Sequence, residues 1–149
     1  MHVSTDDDVV MGLLEQCRRD HHAWINGDMS GYPLARGSTI MGAFGGSATD
    51  ETASRFNRSP FQSLWESGTG EIELVSGGTS GDLAWLVMIE RASVRFAGYD
   101  EPRRWELRVT ELFRREGSEW VRFHRHADPL VDFHPLGELL GLLEASPSS

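Results

Sequence analysis

Apolar positions near the start of the chain recur at helical spacing. In "STDDDVVMGLLEQCRRDHHAWINGD", Val10, Leu13, Leu14, Cys17, His21 and Trp24 form one stripe, the pattern of a helix with a single inward face. Ser4 or Thr5 stands where a cap is needed. Asp6, Asp7 and Asp8 sit at the positive end of the helix dipole, and Gly27 is the expected stop. "SGYPLARGSTIMGAFGG" predicts a turn, a short strand around Ser38 to Phe44, and a second turn at Gly45-Gly46. "DETASRFNRSPFQSLWESG" predicts a second, shorter helix, with Pro60 as a break or a new start.

The second half of the chain changes period from about 3.6 to about 2. "GEIELVSGG" predicts a short strand and "GDLAWLVMIERASVRFAG" a long one. After the turn "YDEP", "RRWELRVTELFRR" alternates Trp105, Leu107, Val109 and Phe113 with Arg104, Glu106, Arg108 and Thr110. "EGSE" makes a hairpin turn into "WVRFHRHAD", and "HPLGELLGLLEA" predicts a C-terminal amphipathic helix before a frayed "SPSS". Hairpin connections imply antiparallel pairing. Helices followed by a strongly bent meander give an α+β class, a curved antiparallel sheet packed on N-terminal helices. Such a sheet curled over a long helix encloses a pocket.

At 149 residues the chain is expected to form one domain over 1–149, with its core at about 6–129 and a C-terminal helix and tail at 130–149. The net charge of −9 argues against nucleic acid and anionic membrane surfaces as partners. All 14 basic residues are Arg, so no Lys is available for Schiff-base chemistry. The single cysteine, Cys17, excludes an intrachain disulfide. "MHVSTDDDVV" lacks an apolar signal region, and a cytoplasmic location is expected. "GAFGG" lacks the Lys-Ser/Thr of a phosphate loop, and "DDD" lacks the spacing of a calcium loop. No cofactor is expected.

The order of these elements carries a resemblance. "GSTIMGAFGG", "GDLAWLVMIERASV" and above all "RVTELFRREGSEWVRFHRHAD" resemble the SnoaL-like, ketosteroid-isomerase-like branch of the nuclear transport factor 2-like superfamily. The likeness covers roughly Asp6 to Pro129. It implies a cone-shaped, cystatin-like roll with one deep pocket, assembled as a homodimer, and a small hydrophobic molecule as partner. It does not fix function, because the superfamily holds isomerases, cyclases, dehydratases and non-catalytic assembly domains. Ketosteroid isomerisation itself is disfavoured. The stretch matching the family's catalytic base, "STIMGAFGG", has no carboxylate, and the first helix offers His21, His22 and Trp24 where the family has a tyrosine donor. Glu111 lies near the family's second acid, with its facing undetermined.

The last strand poses the sharpest question. Trp120, Arg122, His124, His126 and Asp128 are two apart, and an unbroken strand would aim all five at one side. Read as a site, that side faces the pocket. His124 and His126 are then hydrogen-bonded wall residues or acid/base groups, with a metal set of His124, His126 and Asp128 as the weakest alternative. Glu90 interrupts the apolar run "WLVMIERA" and needs a partner or a pocket. In the family's register Glu90, Arg108 and Thr110 would face the pocket beside His124. The competing reading places Arg108 in an ion pair on the outer face, which the clean alternation of its strand supports; a β-bulge would resolve the conflict.

The resulting candidates are His124 for acid/base work, Arg108 for an anionic or enolate oxygen, and Glu90 beside them. His126, Thr110, His21 and Trp120 would contact ligand, and Trp24, Met41, Phe44, Trp65 and Trp105 would form the wall. Two functions stay open. One is a pocket protein, as binder or as isomerase-, cyclase- or hydratase-type enzyme, for a small hydrophobic or aromatic molecule. The other is a non-catalytic dimeric binding or assembly module.

Overall fold

A computed structural model describes residues 5–29, 34–45 and 64–145. The element order is α1 (Thr5–Ile25), β1 (Thr39–Met41), β2 (Trp65–Ser80), β3 (Leu83–Phe96), β4 (Arg103–Glu116), β5 (Glu119–Pro129) and α2 (Leu136–Ala145). The strands form one sheet in the order β1-β5-β4-β3-β2. β2 to β5 are an antiparallel meander, and β1 pairs parallel to β5. The expected α+β class and curved sheet are therefore observed, with one parallel edge added. Most of the expected second helix and the Ser4 cap lie outside the described residues. Trp65 to Gly68, at the end of that expected helix, belong to β2 instead.

The inner face of the sheet packs on α1. Val10, Leu13, Leu14 and Cys17 meet Ile72, Leu86, Met88, Val109 and Phe113 in one apolar cluster. Trp24, Ile25 and Met29 meet Trp65, Ala92 and Val94 in a second. Two backbone features set how closely helix and sheet approach. A side chain at Gly70 would place its Cβ 2.7 Å from the His21 ring and 2.8 Å from the Arg91 carbonyl, so only glycine fits there. Past the helix end, Asn26 donates to the Gly68 carbonyl and accepts from the Gly68 N–H, both at 3.0 Å, and so pairs with β2 as a strand would. Gly27 turns the chain away at φ +87°.

Register in the β4/β5 pair decides which chemistry points inward. Leu112 pairs with His124 but Phe113 pairs with Arg122, which leaves Phe123 as an extra residue on β5. That bulge reverses the alternation. Before it, Arg122 points into the core; after it, Arg125 and Ala127 do. His124, His126 and Asp128 are turned to the outer face.

Candidate functional site

The helix stripe changes character at its middle. Between the apolar residues near Leu14 and those near Trp24 lie Cys17, Asp20 and His21, and the sheet answers with four buried charged side chains: Glu90, Glu111, Arg122 and Arg125. Together they form a chain of alternating charge. Arg125 grips Glu90 with two hydrogen bonds of 2.8 and 2.9 Å and reaches Glu111 at 3.4 Å. Arg122 sits 2.7 Å from Glu111 and 3.0 Å from Asp20. The alternation lets each buried carboxylate face a guanidinium, the condition under which buried charge is tolerated.

Two neutral groups border this chain. The Cys17 thiol donates to Glu111 at 3.1 Å, and burial, reinforced by the Glu111 carboxylate, pushes its pKa far above the ordinary thiol range. It therefore remains a protonated thiol and is no nucleophile. Burial pulls the His21 imidazole below its ordinary pKa, against the opposing pull of Glu90. Its Nε2 is buried without a hydrogen-bond partner.

Beyond Arg125 the inner face opens into a cavity of about 50 Å³. Trp24 from α1, Met29 just after it, Ile40, Gly42, Ala43 and Phe44 in and after β1, Trp65 from β2, Trp105 and Leu107 from β4, and Arg125 and Ala127 from β5 border it. The wall is predominantly aromatic. Trp65 stands edge-on to Trp24 and Trp105 at ring distances of 4.9 and 5.3 Å, and Phe44 lies 5.4 Å from Trp105. The Arg125 guanidinium sits 5.9 Å from the Trp24 ring, so the one charged side chain among the described lining residues is held by carboxylates and by an aromatic face.

No protein-family model and no curated protein matches the chain. Solved structures do match in shape. A nuclear transport factor 2-like superfamily protein from Salmonella enterica aligns at a TM-score of 0.70 with 12% identity, over 88% of this chain and 96% of that one. A provisionally named dehydratase of the same family from Streptomyces avermitilis aligns at 0.64 with 15% identity, over 84% and 99%. The association domain of C. elegans calcium/calmodulin-dependent kinase II aligns at 0.55 with 10% identity, over 81% and 94%. This chain has the nuclear transport factor 2-like fold.

Within that fold the expected candidates separate into two groups. Trp24, Trp65, Trp105 and Phe44 border the cavity. Glu90 is buried on the same face as the partner of Arg125, and His21 lies beside it under β2. The remaining candidates face elsewhere, and their expected pocket facing is corrected. Arg108 is exposed on the outer face, paired with Asp128 at 2.7 and 2.8 Å. Thr110 and His126 pair with each other on that face. His124 bonds Thr39 there through Nδ1 at 2.7 Å, its pKa lowered by burial and by neighbouring His126. Met41, beside His126 on β1, is half exposed and absent from the lining. Trp120 packs on the cluster around α1 instead. The cause is the Phe123 bulge for the histidines, and for Arg108 and Thr110 the unbroken alternation of β4. The carboxylate of the weak metal alternative, Asp128, is occupied by Arg108. Among the described residues no group of His, Cys, Asp and Glu is arranged to hold a metal ion.

Arg125 is the charged residue of the cavity wall that strand reasoning missed. Ala127 carried the available signal. It is the apolar residue in "HRHAD", and counting back from it by two reaches Arg125, not His124.

Proposed function

We propose that this chain is a small-molecule-binding protein, akin to the SnoaL-like branch, that takes a small, largely apolar molecule into the aromatic cavity. The observation that carries this is the lining itself: among the described residues, three indoles and a phenyl ring around a single guanidinium. Apolar walls with one placed polar group are the usual composition of a ligand site. The geometry favours binding over catalysis. Among the described residues no carboxylate or imidazole borders the cavity, so no general base stands beside a ligand there. The dehydratase name of the Streptomyces neighbour supports an enzymatic variant, with Glu90 behind Arg125 as its nearest carboxylate.

A homodimer formed from a single domain over residues 1–149, in the cytoplasm, completes the proposal. Among the described residues no helix is long and apolar enough to cross a membrane. The assembly-module reading draws on a specific feature: α2 has no buried residue, and Leu136, Leu142 and Leu143 are each more than half exposed. The kinase association domain among the structural neighbours supports the same reading.

Native mass spectrometry of gently purified protein separates the two. A bound organic molecule, retained in Arg108→Ala and reduced in Trp105→Ala, supports the cavity. A ligand-free oligomer, together with no binding of added aromatic compounds, supports the assembly module.

A further inference from the structure

Two apolar surfaces of this chain face outward. α2 carries the first. Leu136, Leu139, Leu140 and Leu143 share one side of the helix, Leu142 widens that side, and Glu138 and Glu144 stand clear of it. α2 buries no residue, and these leucines are 44–70% exposed. At ~100° per residue the stripe spans about 160°. That is broader than the seam of a helix pair and suits a flat surface. The sheet carries the second. Ala84, Leu86 and Met88 point inward, so Leu83, Trp85 and Val87 point out, and Leu112 stands opposite Trp85 on β4. A Cβ at Gly78 would lie 2.5 Å from the Trp85 ring, so glycine there lets the indole lie over β2 and extend the patch across a third strand. Within one chain neither surface covers the other: the helix buries nothing, while Leu83 and Trp85 stay 52% and 37% exposed.

We infer that two copies of this chain join by exchanging α2: the leucine stripe of each helix lies on the Trp85 patch of the other copy's sheet. This rests on the homodimer reading and names the two surfaces that form it. The contact is reciprocal, as a two-fold assembly requires. Area supports it. The leucines expose on the order of 500 Å² and the patch about 200–300 Å², together close to the ~800 Å² that each partner of a standard interface contributes. Charge supports it too. Arg114 stands opposite Leu83 and His124 opposite Leu112 at the rim of the patch, whereas α2 brings carboxylates and no basic residue. The same lack of basic residues, in a chain of net charge −9, makes an anionic lipid surface a poor occupant for the stripe.

The test combines sedimentation with cross-linking, both on the full chain. The wild type is expected to sediment as a dimer. Leu139→Asp with Leu143→Asp is expected to raise the dimer Kd by at least about a hundredfold, and Trp85→Ser to do the same. The α2 variant touches no buried residue, so its circular dichroism stays native. Cys17 is buried, which leaves an introduced thiol as the reactive one. Leu143→Cys and Leu83→Cys chains, mixed in equal amounts and mildly oxidised, should give chiefly the mixed disulfide between copies. An unchanged Kd in the α2 variant, no mixed disulfide, or a disulfide formed instead between two Leu143→Cys chains overturns the exchange while the dimer stands. A wild-type chain that sediments as a monomer overturns both the exchange and the homodimer beneath it.

Discussion

Replacing Arg125 by Met should be among the most damaging single changes on the sheet, and the reason is countable. The Arg125 side chain is 7% exposed, Glu90 3% and Glu111 1%. Removing the guanidinium leaves Glu90 without its two short hydrogen bonds and Glu111 with Arg122. An uncompensated buried carboxylate of this kind costs about 3–5 kcal/mol. At a urea m value of ~2 kcal/mol/M the midpoint should fall by about 2 M. Arg108→Met is the matched control. It lies on the adjacent strand, also holds a carboxylate with two hydrogen bonds, but is 62% exposed, so less than ~1 kcal/mol is expected. A double variant, Glu90→Leu with Arg125→Met, should recover most of the loss, because the stranded charge is gone and apolar volume takes its place. Urea titrations followed by circular dichroism and tryptophan fluorescence would measure all three. If Arg125→Met and Arg108→Met fall within ~1 kcal/mol of each other, the assignment of one to the inside and the other to the outside is wrong.

Other consequences follow from the same geometry. Burial lowers the His21 and His124 pKa values below the ordinary 6.5, so the folded state binds fewer protons than the unfolded chain near that pH. Their stabilising contribution is present above pH ~6.5 and lost as pH falls through it; the melting temperature should drop from pH 7.5 to 5.5, and His21→Phe should flatten most of that drop. Asp20, whose pKa burial raises against the pull of Arg122, works in the opposite direction at lower pH, regaining stability as it is protonated. Gly70→Ala should destabilise by ~1–3 kcal/mol through collision with His21 and the Arg91 carbonyl. Gly12→Ala, on an exposed turn of α1 with open space at its Cβ, should stabilise by up to ~1 kcal/mol in the same urea assay. Deleting Phe123 removes the extra residue but leaves Arg122 opposite Phe113 and His124 opposite Leu112, so both faces keep their side chains and near-ultraviolet circular dichroism should stay native-like. Loss of that signal would mean that the register of β5 is not the one described.

The sequence made most of the architecture legible because its periods are clean. The α1 stripe from Val10 to Trp24 and the alternation of β4 each state which side is buried, and the structure agrees on both. The polar belt was only half legible: Glu90 stood out as a break in the apolar run of β3, while Cys17 and His21 read as members of the helix stripe. The site was less legible for one local reason. Polar residues on both faces of β5 gave no majority for either parity, so an unmarked bulge could exchange Arg125 for His124. Burial of charge also hides in a sequence: Arg122 and Glu111 look like surface residues until each is seen to be the other's partner at 2.7 Å.

The central claim, that the aromatic cavity is the ligand site, can be tested on the five indole N–H signals of the chain. They can be assigned by single Trp→Phe variants and followed in two-dimensional nitrogen–proton spectra while benzoate or toluene is added. Binding in the cavity should move Trp24, Trp65 and Trp105, which border it, and leave Trp85 on the outer face and Trp120 on the α1 cluster in place. Shifts confined to Trp85 or Trp120, or no shift with either probe, would contradict it.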